Sequence, residues 1–311
     1  MQRASSYPAP ICLFTYARPQ HASLVVNALK LSPLATSSIL YVFSDAPKTD
    51  EAVSNVLDVR EMLHSIDGFA EVKIVEREKN VGLARNIQEG VSEVIARHGR
   101  AIILEDDTVP SVQFLDYMNR ALDKFETDPK VWHVSGYSHP IDATGLSDVY
   151  LSRFMNCWGW ATWADRWAHY VKNPLELKAT WSDEHIHRFN LDGKLPYWRQ
   201  VEANISGEID TWAIFWYATI FAEDGLCLNP TRSLVSNIGH DGTGENCGVS
   251  DLNFHATPDQ NFRPNLDLPA LQEDVEAIIR VKRYVRTEHR RPLVRMINRL
   301  STQAFGRVVV P

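Results

Sequence analysis

Apolar residues in the first 135 positions fall into short runs separated by stretches with helical spacing. Pro10 to Thr15 is one such run. After Pro19, Leu24, Val25, Ala28 and Leu29 mark one face of a helix that the proline opens. Ile39 to Phe43 is a second run, closed by the turn cluster Ser44-Asp45-Ala46-Pro47. Val53, Val56, Leu57 and Leu63 recur at helical spacing before a third run, Val72 to Val75. Leu83, Ile87, Val91, Val94 and Ile95 predict a helix ended by Gly99 at a C′ position. Ala101 to Leu104 is a fourth run, Pro110 opens a helix carrying Phe114, Leu115, Leu122 and Phe125, and Val131 to Val134 is a fifth run. Strands alternating with helices of this length predict an α/β fold: a Rossmann-like, mostly parallel central sheet flanked by helices.

From Tyr150 the texture changes. Trp158, Trp160, Trp163, Trp167, Trp181, Trp198, Trp212 and Trp216 crowd together, against Trp132 alone before them. Such density reads first as core packing, although aromatic rings beside a cleft also hold the C–H faces of sugars. Ala256 to Pro269 is rich in Pro and Asn and reads as a linker, followed by a helix from about Pro269 to Tyr284 and a basic amphipathic segment.

Composition narrows the class. The 311 residues, 44% hydrophobic and 23% charged, suffice for a large buried core. No stretch approaches the roughly 18 to 20 apolar residues that cross a bilayer, and Met1 to Pro10 has no apolar signal region. Cys12, Cys157, Cys227 and Cys247 lack zinc spacing and read as reduced thiols, so a cytoplasmic protein is expected. Net charge is −7, but the stretch from Arg280 onward holds nine Lys/Arg and one acid, leaving the remainder near −15. An acidic body of this kind gives no reason to expect nucleic acid as a partner.

Glu105-Asp106-Asp107 directly follows the fourth apolar run. Ligands of parallel α/β sheets gather at the carboxyl ends of strands, so three carboxylates fall at the binding edge. Adjacent acids repel unless a cation compensates them, and Mg²⁺ or Mn²⁺ takes such oxygen ligands together with phosphate oxygens. A solvated acidic loop is the plainer alternative.

Ile-Leu-Glu-Asp-Asp resembles the strand-plus-DXD element of GT-A glycosyltransferases, in the Glu-Asp-Asp form of N-acetylglucosaminyltransferase I and similar family 2-like bacterial sugar transferases. Phe14-Thr15-Tyr16-Ala17-Arg18-Pro19 resembles the first-strand motif bordering the nucleobase, Ser44-Asp45 the second-strand end, and Asn80-Val81-Gly82-Leu83-Ala84-Arg85-Asn86 the family's Asn-x-Gly-x-x-x-Arg-Asn segment. The resemblance spans roughly Pro10 to Gly248. It implies a GT-A domain over residues 8–256, with a linker and basic helical C-terminal extension over 257–311.

The resemblance also implies roles. Asp107 would bind the metal, Mn²⁺ or Mg²⁺, with Asp106 and Glu105 holding ribose or sugar. Thr15, Arg18 and Asp45 would meet the donor's base and ribose, Gly82 would let backbone approach it, and Arg85 would offer a cation near the diphosphate. Trp158, Gly159 and Trp160 resemble the segment forming the sugar and acceptor pocket, in which Cys157 reads as structural. His240 would add a metal or diphosphate contact, and the glycines from Gly239 to Gly248 resemble a mobile lid. Gly207-Glu208-Ile209-Asp210-Thr211-Trp212 resembles the region carrying the general base of an inverting transfer. Asp210 is the first candidate and Glu208 the second, while a helix starting near Asp210 leaves a capping role open.

The expected partners are a nucleotide-sugar donor, in the first place a UDP-sugar, and a glycan or lipid-linked acceptor of bacterial polysaccharide or glycolipid assembly. Arg286, Arg290, Arg291, Arg295 and Arg299, with Leu293, Val294, Ile297 and Leu300, could lie on an anionic membrane at its inner face or pack on the acidic body. Two rival classes remain. A sugar nucleotidyltransferase calls for a glycine-rich loop after the first strand, and Thr15 to Gln20 has no glycine. A non-catalytic sugar-binding scaffold has no need of both Asp107 and Asp210.

Overall fold

Ile11–Thr15 forms β1, buried along its whole length. Its side chains alternate, with Ile11 and Leu13 entering one apolar cluster and Cys12 and Phe14 the other. A strand buried on both faces must lie mid-sheet, with layers above and below. The computed structural model describes residues 8–242 and 258–287.

After β1 come α1 (Pro19–Lys30), β2 (Ile39–Ser44), α2 (Val53–His64), β3 (Glu71–Glu76), α3 (Leu83–His98), β4 (Arg100–Glu105), β5 (Thr108–Pro110), α4 (Phe114–Lys124) and β6 (Val131–Ser135). The second half contributes β7 (Val149–Ser152), β8 (Trp160–Trp163), α5 (Ala164–Trp167), α6 (Pro174–Thr180), α7 (Asp183–Phe189), α8 (Trp198–Ser206), α9 (Ala213–Ala222), β9 (Leu226–Pro230) and β10 (Val235–Asn237). A last helix, α10, covers 275–287.

The main sheet has eight strands in the order β3-β2-β1-β4-β8-β6-β9-β7. β3, β2, β1 and β4 run parallel. β8 opposes both its neighbours, β6 and β9 are parallel, and β7 closes the edge antiparallel to β9. The mixed α/β architecture with a mostly parallel sheet is the one that the alternating signals predict. α1, α2 and α4 cover one face through Val25, Val26, Leu29, Val59, Leu63, Phe114 and Met118. α3 covers the other through Ile87, Val91 and Val94. The chain therefore steps outward from β1 to β3, then returns along α3 to place β4 on the far side of β1. That reversal opens a crevice at the carboxyl ends of β1 and β4.

The tryptophan-rich half builds core. Trp160 is fully buried, with its ring stacked on Trp212 at 5.1 Å and on His133 at 5.4 Å. Trp167 meets Trp216 edge-on at 5.0 Å, and Trp181 stacks on Trp198 at 5.5 Å. His133 is locked in one tautomer: Trp216 Nε1 donates to its Nδ1 at 3.2 Å, and its Nε2 lies 3.0 Å from the Asn156 carbonyl. Burial pulls its pKa down to about 3, so it is a neutral packing element.

Three expected boundaries shift. Helix α4 starts at Phe114 rather than Pro110, because Thr108–Pro110 pairs as a short strand with Val235–Asn237. The helix expected near Asp210 begins at Ala213 after Trp212, so Asp210 does not cap it. The expected helix from Pro269 begins at 275, where Asp274 Oδ1 accepts from the Ala277 amide at 2.9 Å.

The stretch read as a linker is tied down along 258–268. Phe262 and Leu266 are buried, Arg263 pairs with Asp116 at 2.9 Å, and Arg120 donates to the Pro264 carbonyl at 2.9 Å. Cys12, Cys157 and Cys227 are not joined by disulfides. Cys247, the lid glycines after Gly242 and the basic residues from Arg290 onward lie outside the described residues. Among the described residues, no helix is long and apolar enough to cross a membrane.

Candidate active site

A cleft of about 400 Å³ opens at the carboxyl ends of β1 and β4. One wall is the segment after β1, from Thr15 to His21; the floor is Glu105, Asp106 and Asp107; the other wall is Asn80, Gly82, Leu83 and Asn86, with Asp45 at the end of β2. The parallel register sets Phe14 beside Glu105, so the loop after β1 and the acids after β4 leave the sheet side by side.

The acids are sequestered and partly compensated. Asp106 is buried, accepts from the Tyr16 amide at 3.3 Å, and receives Arg18 Nη2 in a short contact. The same Nη2 lies 2.9 Å from Asp107 Oδ2. Arg18 thus bridges two carboxylates with one nitrogen. Burial opposes its charge, but Asp106 and Asp107 outweigh that and hold the guanidinium above its ordinary value. Burial, then Asp107 and Asp106, push Glu105 up to about 8. Asp106 is raised to about 6 by burial and by Asp107, against the pull of Arg18. One arginine therefore leaves the three-acid cluster short of positive charge.

The donor set suits a hard divalent ion: oxygen ligands, excess negative charge and a cation already seated between two of them. Among the described residues no group of three or more His, Cys, Asp or Glu is set to enclose a metal. An ion held by one or two carboxylates, with phosphate and water completing its shell, is the kind of site these acids would suit.

The opposite wall is built around Asp45, which is 4% exposed. Its Oδ1 accepts from the amides of Ala46 at 2.9 Å and Val81 at 3.0 Å, and its Oδ2 from Gly82 at 2.9 Å. Gly82 has φ 78 and ψ 156, a conformation that only glycine adopts readily. A Cβ there would meet nothing within 4 Å, so backbone geometry and not crowding by the protein requires the glycine. Neither α1 nor α3 has a side-chain cap at its N-terminus, and both begin on the cleft. Uncapped amides there favour an anionic group.

The β5–β10 pairing brings a third piece of chain onto Asp107. The Ile238 amide donates to the Asp107 carbonyl at 2.8 Å, and Gly239 sits so close that a Cβ would overlap the Asp107 carboxylate. His240 follows, its ring edge-on to Trp158 at 5.6 Å, and Trp158 in turn meets Tyr137 at 4.4 Å. His21 Nε2 and Asp241 Oδ2, 3.2 Å apart, join this turn to α1.

The structure gathers Thr15, Arg18, Asp45, Gly82, Glu105, Asp106 and Asp107 around one cleft and brings the turn carrying His240 against Asp107. Other candidate residues lie elsewhere. Arg85 is 67% exposed on the outer side of α3 and pairs with Glu89 at 2.6 Å, because helical geometry turns Asn86 toward the cleft instead. Trp160 is core, and Gly159 is buried where a Cβ would meet Phe114 and Val235 at 3.0 Å. Asp210 is 70% exposed and bound to Lys172, and Glu208 is exposed; neither lines the cleft. Sequence reasoning did not single out His21, Asn55 or Gly239. No periodic or motif signal marks the first two, and Gly239 was legible only as one of several loop glycines.

Comparison with known protein families and with curated proteins finds no match. Among solved structures, the chain is similar to a mannosyltransferase from Pyrobaculum calidifontis in complex with GDP-Man and Mn²⁺, at 14% identity over 70% of each chain and a TM-score of 0.36. It is also similar to S. aureus TarS, at 15% identity over 40% of this chain and 21% of that one, TM-score 0.31. A mycobacterial protein overlaps at 13% identity over 50% of this chain and 54% of its own, TM-score 0.31.

Proposed function

We propose that the chain is a glycosyltransferase that moves a sugar from a nucleoside diphosphate donor, a UDP-sugar in the first place, onto an acceptor hydroxyl. The observation that carries this reading is the under-compensated cluster Glu105-Asp106-Asp107 at the β1–β4 switch point, with Asp106 and Asp107 buried and bridged by Arg18. A crevice there, with uncapped helix N-termini on two sides and carboxylates on its floor, suits a ligand that pairs a diphosphate with hydroxyl-rich ends. Asp45 and its three amide partners fix the wall against which base and ribose would lie. Asp106 and Glu105 supply acceptors for ribose or sugar hydroxyls, and Asp107 would hold Mn²⁺ or Mg²⁺. When bound, that cation supplies the charge neutralisation that makes a diphosphate a competent leaving group.

In the transfer, the acceptor oxygen bonds to the anomeric carbon as the bond to the diphosphate breaks, and a carboxylate takes the hydroxyl proton. Asp210, with Glu208 as alternative, is proposed for that proton, and a single in-line displacement of this kind inverts the anomeric carbon. Both lie outside the cleft, on the exposed tether between α8 and α9, so the acceptor would have to bridge the tether and the donor. Trp158, half-buried beside His240, is proposed to contribute to the sugar and acceptor pocket. The acceptor is proposed to be a glycan or lipid-linked sugar of polysaccharide or glycolipid assembly. Calorimetry of the full chain against a panel of nucleotide sugars, with and without Mn²⁺, tests the reading. Metal-dependent binding of one donor, lost in Asp107→Ala, is expected; no donor binding with metal present contradicts it.

A further inference from the structure

Arg18 is the cation of the acidic cluster in this structure, and its two amino groups are used unequally. Nη2 serves both Asp106 and Asp107, while Nη1 is buried with no hydrogen-bond partner among the described residues. A buried guanidinium nitrogen without an acceptor is costly unless a ligand completes it. The cleft that Arg18 lines is bordered by the first turns of α1, after Pro19, and of α3, after Gly82, where an anionic ligand is favoured. Arg18 stands at the N-cap of α1, where its guanidinium, having no acceptor, cannot cap the helix and points to the carboxylates.

We infer that Arg18 is a resident counter-cation that competes with a divalent metal for Asp107 and is drawn off by the donor's diphosphate. Resting on the glycosyltransferase reading above, this gives Arg18 a positioning role that couples metal entry to donor entry. Without donor, Arg18 holds Asp106 and Asp107 and weakens metal binding by direct competition and by charge repulsion across a few ångströms. With donor, the guanidinium, which meets both carboxylates through Nη2 alone, can present its planar fork to two phosphate oxygens. Empty protein thereby keeps its acids partly compensated, and metal is retained chiefly when a diphosphate is present.

The test is Mn²⁺ titration of the full chain by calorimetry, in wild type and Arg18→Gln, followed by titration with inorganic pyrophosphate at saturating Mg²⁺. Arg18→Gln is expected to bind Mn²⁺ alone about tenfold tighter or more, and pyrophosphate about tenfold weaker. These opposite signs in one variant are not those of a merely structural arginine, whose loss weakens both. Arg18→Lys, which keeps the charge without the fork, is expected to stay within about threefold of wild type for Mn²⁺ while still losing pyrophosphate affinity.

Unchanged or weaker Mn²⁺ binding by Arg18→Gln, beside a wild type that binds both ligands, overturns the inference alone. Failure of every form to bind Mn²⁺ or pyrophosphate overturns it together with the reading beneath it. Should Arg18→Gln not fold, the Arg18 Nε–H resonance of wild type, assigned with Arg18→Lys, is expected to shift on adding Mg²⁺. A resonance that stays in place overturns the inference.

Discussion

Gly239 lies against the carboxylate of Asp107 so closely that no side chain fits between them. The contact exists because β10 pairs with β5 immediately after the acidic cluster, and the turn that follows folds back over it. The glycine is thus a packing requirement of the candidate metal ligand. Gly239→Ala is expected to displace Asp107 and weaken Mn²⁺ binding, measured with nucleoside diphosphate present, by about tenfold or more. Gly239 is buried, so a lower melting temperature is expected beside the loss of metal affinity.

Asp45 is expected to matter for stability as well as binding. Asp45→Asn replaces one acceptor oxygen with an NH₂ group facing amide donors, leaving at least one donor unsatisfied in a buried place. The cost is about 1–3 kcal/mol, read as a lower midpoint in denaturant unfolding, together with weaker nucleotide binding. An unchanged midpoint contradicts the wall-building role.

Glu105 makes a pH prediction whose sign is fixed. Its ordinary value is 4.5 and its value in the fold is about 8. Between the two, folded chain keeps a proton that unfolded chain has released, so this group's contribution is full below pH 4.5 and is lost as pH rises toward 8. Glu105→Gln does not ionise. In metal-free buffer its stability relative to wild type is expected to be least at pH 5 and to grow to pH 8, measured by thermal unfolding across that range. A difference independent of pH contradicts it.

Trp160 and Trp158 are neighbours in sequence with different predicted behaviour. Trp160→Ala removes a ring stacked between His133 and Trp212 and should cost about 3–5 kcal/mol of stability. Trp158→Ala, at a half-buried position, should cost less and show its effect in sugar-dependent rates. Equal destabilisation by the two, measured by chemical denaturation, contradicts this division.

Asp210→Asn separates donor from acceptor functions. Asp210 lies outside the cleft, so donor affinity by calorimetry should match wild type, while transfer to acceptor falls by about 10²-fold or more. Wild-type transfer by this variant places the base elsewhere.

The first half of the fold is legible because its periodicities are long and clean. The buried stripe of α3, Ile87, Val91, Val94 and Ile95, ends at Gly99 with φ 77, and the five apolar runs are five strands of the main sheet. The second half is less so: β7, β8 and β9 are four or five residues each, and their apolar content reads equally as helix or core. In the site, the acids are readable because a strand runs directly into them. Linear spacing does not say which side of a helix faces the cleft, and Arg85 lies away from it. It sits about 100° around α3 from Asn86, enough to move it from wall to solvent. Gly239 depends on a pairing between residues more than 120 apart, which no local pattern carries.

Donor turnover is the most direct measurement. Wild type and Asp107→Ala would each be incubated with the nucleotide sugar that binds, with Mn²⁺ or with chelator, and released nucleoside diphosphate followed over time. Metal-dependent release by wild type, accelerated by acceptor and lost in Asp107→Ala, is the predicted result. Donor that binds but is never turned over, with any metal or acceptor, would contradict the enzyme reading and leave a sugar-nucleotide-binding protein.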